Sequence, residues 1–404
     1  MDCINVRRLF SKEQQMHYTV QPLQQGYTNQ ILSINVTTGK MEVRPLPPEV
    51  RNFFIGGRGL GLYLLHEQVT SRTKASDPEN PLIFSPGPLG GIPQFPGTSK
   101  CMAISLSPLT GIPGVSNFGG HFGAYLKYAG FDALTVAGIA PEPVMIVIDG
   151  FRREISIVGV SGDDQVFHLE KTLVDRFLRE GHEKKDLAFL TTGIGAEHTS
   201  FGCINSHYYD ATKPVEGGKG LFRTKQAGRT GLGSVMSQKL VTAIVVLAAF
   251  PRGENPYGAA DWNRVKEAGA KLHGVVRDVD PQALKMHLKG SAGLISFMNK
   301  EEYQSLPVHN YQRGSHPRAG EICGKVYAER LFEHRGMDGC FPGCNLRCSY
   351  CDTPYAREGG AEMTVEQICR AVKTAGISPV ELTGGEPLLQ EECYRLMDRL
   401  LREG

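Results

Sequence analysis

The chain has 404 residues, of which 44 are basic and 42 are acidic, so its formal net charge is only +2. A chain of this length has room for two or three domains and buries a large core. Its balanced charge does not support binding to nucleic acid or to a membrane surface, which leaves small molecules or another protein as expected partners.

Neither a secretory signal nor a membrane span is predicted. Residues 1–25 carry Arg7, Arg8 and a polar stretch but lack the apolar core of a signal peptide. The longest apolar run, Val241 to Phe250, is shorter than the about 20 residues that cross a bilayer. The protein is therefore expected in the cytosol, where its 10 cysteines are better explained as metal ligands and small buried residues than as disulfides. No function is predicted for residues 1–25.

Short apolar runs punctuated by Gly and Pro occupy residues 26–250. Such runs, alternating or continuous, predict β-strands. Four strands are predicted at 30–36, 101–106, 133–136 and 144–148. The turn from Thr37 to Lys40 predicts a hairpin. Residues 57–65 have helical spacing instead, and their glycines either hold an anion at the helix start or allow close packing.

From Asp261 the apolar spacing becomes helical. Asp261 stands at the N-cap position, and Pro281 is expected to end or restart the helix. The residues predicted on one face are Trp262, Val265, Ala268, Leu272, Val275, Val276 and Val279. Farther along, Thr364 and Gln367 have the spacing of a capping box. A strand at 379–383 and a helix at 390–402 then predict the start of a parallel βα repeat.

Four cysteines lie within twelve residues, at Cys340, Cys344, Cys348 and Cys351. Thiolates suit the soft iron of an iron–sulfur cluster, and one short loop wraps a cluster at low closure entropy. Two ligand sets are open, C-x3-C-x3-C over the first three cysteines and C-x3-C-x2-C over the last three. A four-cysteine zinc site is the weaker alternative because it usually draws on two separated C-x2-C pairs. A disulfide is weaker still.

Eight glycine-rich strings stand in order between residues 33 and 236. They are SINVTTG (33–39), GGRGL (56–60), DPEN (77–80), GPL (87–89), SPLTG (107–111), NFGGHFGA (117–124), LKYAGFD (126–132) and AGRTGLGSVM (227–236). In this order they resemble the aldehyde ferredoxin oxidoreductase family, tungsten or molybdenum enzymes that oxidise aldehydes on a bis-pterin cofactor. A flat, phosphorylated pterin needs backbone amides that approach closely, and glycine-rich turns supply them.

The resemblance implies a set of cofactor contacts. Asn117, Gly119 and Gly120 match the segment at the magnesium that bridges the two pterin phosphates. Lys100 and Lys225 stand where the best-known branch has arginines, and a lysine neutralises a phosphate as a point charge without the bidentate fork. The second cofactor segment is completed by Gln226, Ala227, Gly228 and Arg229.

The same resemblance continues to the cysteines. Residues 306–314 match the family's stretch before its cluster, and on this interpretation Cys340, Cys344 and Cys348 hold a 4Fe-4S cluster that passes electrons to ferredoxin. The family's remaining pterin segments, fourth cluster cysteine and substrate-side acid and base belong to a long C-terminal region that is expected to be missing here. No catalytic residue is therefore predicted.

Three further strings, at the C-terminal end, do not match the aldehyde ferredoxin oxidoreductase pattern. They are residues 344–356, 362–368 and 382–390. They resemble the radical S-adenosylmethionine (SAM) enzymes, most closely 7-carboxy-7-deazaguanine synthase. That resemblance implies a 4Fe-4S cluster on Cys344, Cys348 and Cys351, with one iron open for SAM, and magnesium binding by Thr353. The turn expected to bind the SAM ammonium is Gly384, Gly385, Glu386 and Pro387.

The two resemblances overlap on residues 344–348, and we interpret the chain as a join of two gene pieces at this string. The main predicted function is oxidation of an aldehyde to a carboxylic acid with ferredoxin as electron acceptor. A radical SAM enzyme and a non-catalytic iron–sulfur protein are the alternatives. Neither nucleic acid nor a membrane is an expected partner, and a homodimer is left open.

The predicted fold class is α+β, with a β-rich two-sheet cofactor-binding domain, a helical segment and the truncated start of a radical SAM (β/α) barrel. The predicted parts are an unassigned segment at 1–25, the β domain at 26–250, the helical segment at 251–339, and the cluster loop with a partial βα unit at 340–404. Because the barrel is cut after its second strand, radical catalysis by this chain alone is not expected.

Overall fold

The computed structural model divides the chain into two compact units, Met1–His273 and Gly274–Gly404. It describes residues 5–7, 15–95, 97–161, 166–215, 218–279, 290–309, 312–326, 329, 364–367, 369–370, 399 and 402. The cluster loop and most of the segment after it lie outside these residues. The prediction that residues 251–339 form a separate helical part remains a prediction.

A six-stranded sheet, called the small sheet, forms one layer of the first unit. Its strands are β3 (Gln30–Asn35), β4 (Lys40–Pro45), β5 (Leu82–Pro86), β6 (Cys101–Leu106), β7 (Pro113–Phe118) and β8 (Ala133–Ala137). They run in the order β4-β3-β8-β5-β6-β7, and only the β3–β8 pair is parallel. The predicted strands at 30–36, 101–106 and 133–136 are confirmed, as is the hairpin through Thr37.

An eight-stranded sheet, called the large sheet, forms the second layer. Its strands are β1 (Asn5–Arg7), β2 (Gln15–His17), β9 (Val144–Asp149), β10 (Glu154–Ser161), β11 (Leu187–Thr191), β12 (Ile204–Val215), β13 (Gly218–Ala227) and β14 (Val241–Leu247). The order is β1-β10-β9-β14-β11-β12-β13, with β2 also on β10. The strand predicted at 144–148 is confirmed as β9, which pairs in parallel with β14.

Six helices are described between residues 48 and 279, of which five lie within the first unit and α6 begins in it and ends in the second. They are α1 (Pro48–Phe54), α2 (Gly57–His66), α3 (Phe122–Tyr128), α4 (Val166–Arg179), α5 (Leu232–Gln238) and α6 (Trp262–Val279). The main core lies between the two sheets and includes α3 and α5. Helices α1 and α2 cover the outer face of the small sheet, and α4 covers that of the large sheet. The α+β prediction is confirmed.

Helix α4 was not predicted, although its sequence carries the signal. Leu169, Leu173, Val174 and Phe177 recur at helical spacing, and all four are buried against the large sheet. A polar contact also holds the helix in place, because Glu170 Oε2 lies 2.5 Å from Nδ1 of the buried His207 on β12. The glycine-rich, strand-like sequence on both sides had favoured strands throughout this region.

Helix α6 begins where the sequence predicted, since the backbone N–H of Arg264 donates to Asp261 Oδ1 at 3.0 Å. The residue of α6 that is buried, however, is Gly269 rather than a member of the predicted apolar face. A methyl group on Gly269 would lie 2.2 Å from the Gln94 carbonyl oxygen. The apolar residues of the predicted face at its C-terminal half are exposed, with Val275 at 49% and Val279 at 54%. No described helix combines the length and apolar character that a membrane span requires.

The second unit is described in short pieces. Besides the end of α6, they include the helical turns Gly290–Leu294, Ile295–Met298 and Ala319–Ile322, and an isolated bridge between Val308 and Arg313. The capping box predicted at Thr364 is confirmed, because Thr364 N donates to Gln367 Oε1 and Gln367 N donates to Thr364 Oγ1. The strand predicted at 379–383, the radical SAM barrel and Pro281 lie outside the described residues.

A buried lysine makes the stability of the first unit depend on pH. Lys127 is 2% exposed, and its ammonium donates to the carbonyls of Gly87 and Pro88. Burial lowers its pKa from 10.5 to about 8. Between these two values this lysine binds more protons in the unfolded state than in the folded state, so it contributes a rise of the free energy of unfolding with pH.

We expect Lys127→Met to reduce that rise. The pKa difference between 10.5 and about 8 corresponds to about 3 kcal/mol over the window. Urea unfolding of wild type and variant at several pH values across it measures the difference. The slopes of both proteins also contain a rise from Lys239, whose pKa burial lowers to about 8, and an opposing fall from Cys101, because burial raises the pKa of its thiol. Equal slopes for wild type and variant contradict the prediction.

Candidate cofactor site

The segment Asn117 to Gly120 ends β7 in a tight corner. Asn117 is exposed and pairs with Met102 on β6, while Gly119 and Gly120 are buried. Gly120 has a φ of 93°, in the left-handed region that favours glycine. A methyl group there would also lie 2.8 Å from Ser206 Oγ, so the corner requires glycine on steric grounds as well.

Lys100 and Lys225 meet at this corner. A methyl group placed on Gly119 would lie 3.8 Å from Lys100 Nζ and 3.7 Å from Lys225 Cγ. Lys100 immediately precedes β6 of the small sheet, whereas Lys225 belongs to β13 of the large sheet, where it pairs with Ser206. Each sheet therefore supplies one lysine to the same stretch of backbone. The Lys100 ammonium and the stem of the Lys225 side chain thus lie beside one glycine backbone, and a pair of lysines at such a position suits a phosphate group.

The second predicted cofactor segment lies at the end of β13. Ala227 is its last residue and is buried, whereas Gln226, Gly228 and Arg229 are exposed. The backbone N–H of Arg229 donates to Ser116 Oγ at 3.1 Å, which places this segment beside β7 one residue before Asn117. A methyl group on Gly228 would meet no atom within 4 Å, so the backbone there is open to a ligand.

Three serines join the two sheets around the site, and none was predicted as a site residue. Ser206 Oγ donates to Gly119 O at 2.9 Å, and Ser107 Oγ donates to Thr230 O at 2.7 Å. Ser116 accepts from Arg229, as described. These contacts hold the two glycine-rich segments against each other. Because Ser206 and Gly119 lie 87 positions apart in the sequence, no local pattern identifies the pair.

We expect Ser206→Ala to destabilise the first unit by about 1–2 kcal/mol, because the buried Gly119 carbonyl loses its donor. Urea unfolding of wild type and variant measures the change. Retention of the wild-type unfolding free energy argues against a structural role for this hydrogen bond.

Two glycines in the first turns of α2, Gly59 and Gly61, serve close packing, whereas a methyl group on Gly57 would come no nearer than 3.8 Å to another residue, at Met102 Cγ. A methyl group on Gly59 would lie 2.4 Å from the Phe54 carbonyl oxygen, and one on Gly61 would lie 2.3 Å from Ile104 Cδ1. Both separations are far shorter than van der Waals contact. Of the two alternatives drawn from the sequence, the geometry of these positions therefore favours packing.

His121 directly follows the Gly119–Gly120 corner. Burial lowers the pKa of its imidazole, which opposes protonation at neutral pH. Its Nδ1 atom is buried, and no described residue offers it a hydrogen-bond partner. The ring lies instead among aromatic side chains, with centroids 4.7 Å from Tyr208 and 5.5 Å from Tyr125.

The remaining predicted site residues lie outside the described part of the chain. They are Cys340, Cys344, Cys348, Cys351, Thr353, Gly384, Gly385, Glu386 and Pro387. Their roles as cluster, magnesium and SAM ligands remain predictions. Within the described ranges, no three His, Cys, Asp or Glu side chains converge as a metal site.

Two family models match the chain. The model described as "Aldehyde ferredoxin oxidoreductase, N-terminal domain" matches residues 31–248, which contain the whole Lys100–Lys225 corner. The model described as "Radical SAM superfamily" matches residues 340–404. Both resemblances drawn from the sequence are confirmed.

Individual relatives also fall into two groups, tungsten oxidoreductases and 7-carboxy-7-deazaguanine synthases. A tungsten-containing aldehyde ferredoxin oxidoreductase of Pyrococcus horikoshii is 30% identical over 336 residues, which cover 83% of this chain and 51% of that protein. A 7-carboxy-7-deazaguanine synthase of Methanospirillum hungatei is 38% identical over 101 residues, covering 22% of this chain and 43% of that protein.

Among solved structures, the BamBC active-site complex of benzoyl coenzyme A reductase with 1,5-dienoyl-CoA aligns with a TM-score of 0.47. Its sequence identity is 24%, over 58% of this chain and 32% of that one. The chain spans about half the length of the tungsten relatives that it matches. Because the first family model covers more than half of its residues, this chain belongs to the aldehyde ferredoxin oxidoreductase family.

Proposed function

We propose that this chain binds a tungsten or molybdenum bis-pterin cofactor and serves the oxidation of aldehydes to carboxylic acids in the cytosol. Electrons would leave through a 4Fe-4S cluster to ferredoxin. The observation that carries the proposal is the convergence of Lys100 and Lys225 on Gly119, inside the region that matches the family. The curated relatives named as tungsten aldehyde ferredoxin oxidoreductases support the choice of metal and reaction.

The residues at the corner fit a phosphorylated ligand. Lys100 and Lys225 neutralise its phosphates, and the open backbone at Gly228 admits it closely. The exposed side-chain amide of Asn117 is the proposed ligand for a phosphate-bound magnesium. When bound, the metal and its pterins supply two-electron redox chemistry. The protein's part at this corner is to hold and orient the ligand, since each sheet fixes one of the two lysines.

Metal and pterin analysis tests this proposal directly. The full chain is produced without oxygen in cells supplied with tungstate and molybdate, and metal, pterin and acid-labile sulfide are measured together. We expect tungsten or molybdenum with pterin, and reduction of a viologen dye that depends on added aldehyde. Colourless protein that lacks acid-labile sulfide, pterin and both metals would overturn it.

A radical SAM activity is the second candidate, and the match of residues 340–404 favours it. Anaerobic reconstitution with iron and sulfide, followed by dithionite and SAM, should then release 5'-deoxyadenosine. The oxidoreductase proposal predicts no release of 5'-deoxyadenosine. A protein that holds iron alone and forms no 5'-deoxyadenosine would instead be a non-catalytic iron–sulfur protein.

The two cluster interpretations differ in one cysteine each, which provides a matched pair of variants. Cys340→Ala removes a ligand only if the cluster uses C-x3-C-x3-C, whereas Cys351→Ala does so only for C-x3-C-x2-C. Iron content and cluster absorbance after reconstitution identify the ligand set. Loss in Cys340→Ala supports the oxidoreductase proposal, and loss in Cys351→Ala supports the radical SAM alternative.

We infer further that the two parts were joined at residues 344–348, the string that suits both families. Genomic DNA read in single long molecules across codons 330 to 360 distinguishes a natural join from one made during sequence assembly. An uninterrupted natural frame excludes an assembly origin.

A further inference from the structure

Six aromatic side chains form a continuous row from the candidate cofactor site to α6. We call this row the aromatic chain. Its members, in spatial order, are Tyr208, His121, Tyr125, Tyr128, Tyr257 and Trp262. All six belong to the first unit, but they come from β12, from the start and length of α3, and from the segment leading into α6.

Every step along the aromatic chain is short. The successive ring-centroid separations from Tyr208 to Trp262 are 4.7, 5.5, 6.0, 6.3 and 5.4 Å. Phe250 packs beside the middle of the row, within 5.8 Å of three of its rings. These are the distances of direct aromatic packing, and they are well within the range over which an electron tunnels rapidly between rings.

The two ends have different surroundings. At one end, Tyr208 Cδ1 would lie 3.1 Å from a methyl group on Gly120, so this ring belongs to the Gly119–Gly120 corner. At the other end, Trp262 is the single tryptophan of the chain and is partly exposed at the first residue of α6. Tyr125 and Tyr257, in contrast, are buried between the ends.

The inner members hold their hydroxyl protons, so they serve as bridging rings rather than as sites of proton release. Burial raises the pKa of Tyr125 and Tyr128, so both are neutral phenols at physiological pH. Tyr125 donates its hydroxyl proton to the Lys185 carbonyl, and Tyr128 donates its own to Gly91 O. Backbone carbonyls are poor bases, which favours exchange of protons with solvent at the more exposed ends.

We propose that the aromatic chain is an electron-transfer route that links the Gly119–Gly120 corner to Trp262. Tyrosine and tryptophan are among the side chains that lose one electron most readily. A strong one-electron oxidant formed at the corner, such as a peroxide-derived species, would take an electron from Tyr208. Trp262 replaces that electron through the intervening rings and loses its indole proton to solvent. A thiol in solution then returns one electron and one proton to Trp262.

The route can be tested in the opposite direction on the full chain without any cofactor. Azide radicals produced by pulse radiolysis take one electron from Trp262, which loses its indole proton. An electron then passes through the intervening rings from the partly exposed Tyr208 to the Trp262 radical. The Tyr208 hydroxyl releases a proton to solvent, and the indole nitrogen takes one up. We expect tryptophanyl absorbance to convert into tyrosyl absorbance with a first-order rate that does not change with protein concentration.

Tyr257→Phe interrupts the route next to Trp262 with little change in ring volume. We expect it to slow the conversion about tenfold or more. The matched control is Tyr303→Phe, since Tyr303 is 47% exposed, stacks on Phe297 and lies outside the aromatic chain. Thermal unfolding of all three proteins checks that the fold is retained.

Two results would overturn the proposal. One is a tryptophanyl decay in wild type that produces no first-order tyrosyl signal. The other is a conversion in Tyr257→Phe as fast as in wild type and in Tyr303→Phe, because the rings would then be packing elements without a role in electron transfer. Neither result bears on pterin binding, so failure here is distinct from failure of the proposed function.

Discussion

Replacing Lys100 and Lys225 together with methionine is expected to abolish retention of a phosphorylated pterin. Both side chains lie at Gly119, one from each sheet, so the double variant removes two positive charges from one stretch of backbone. A hydrogen bond to a charged group contributes about 1.5–3 kcal/mol. Loss of both corresponds to an affinity about 10²–10⁴-fold weaker.

The measurement is the pterin and tungsten or molybdenum content of protein purified without oxygen. A matched control is Lys40→Met, because Lys40 is an exposed lysine at the start of β4 that pairs with Glu42. The control should keep its cofactor content. Full cofactor content in the Lys100/Lys225 double variant would show that the phosphates bind elsewhere, and the corner would lose its proposed role.

Gly231→Ala is expected to destabilise the folded state strongly. Gly231 precedes α5 with a φ of 68°, and a methyl group there would lie 1.9 Å from the Ser200 carbonyl oxygen. The side chain therefore adds left-handed strain to a clash with backbone that cannot move aside. We expect a loss of about 3 kcal/mol in the free energy of unfolding, or a fall in Tm of about 6–12 °C.

Gly228→Ala provides the matched control three residues earlier. Gly228 lacks a positive φ, and a methyl group there would meet no atom within 4 Å. Thermal unfolding should therefore be close to wild type in Gly228→Ala and clearly lowered in Gly231→Ala. Equal melting temperatures for the two variants would contradict the steric argument.

Local patterns predicted those elements that depend on a few neighbouring residues. The strands at 30–36 and 101–106 alternate or are apolar throughout, and the turn at Thr37 lies between two paired strands. The caps at Asp261 and Thr364 were equally accessible, because a cap is a contact between residues three positions apart. Such interactions leave their spacing in the sequence.

Contacts between segments that are distant in the sequence do not produce a recognisable spacing of residues. The cofactor residues were found only through the family resemblance, and nothing local indicated that Lys100 and Lys225 approach the same glycine. The bridge from Ser206 to Gly119 and the aromatic chain are further examples, since the latter joins residues from 121 to 262. These features result from packing the two sheets against each other, which a local window of sequence does not contain.

The parallel strand pairs also have a consequence for how the nascent chain matures. Ile31 pairs with Ala133 in the small sheet, and Val144 pairs with Val241 in the large sheet. Pairing over such sequence separations makes folding slow, because the connecting chain loses entropy before the contacts form. During translation, β9 leaves the ribosome long before β14, its neighbour in the large sheet. The edge of β9 that β14 later covers is therefore expected to stay unpaired until β14 has been made, and such an edge favours aggregation of the nascent chain.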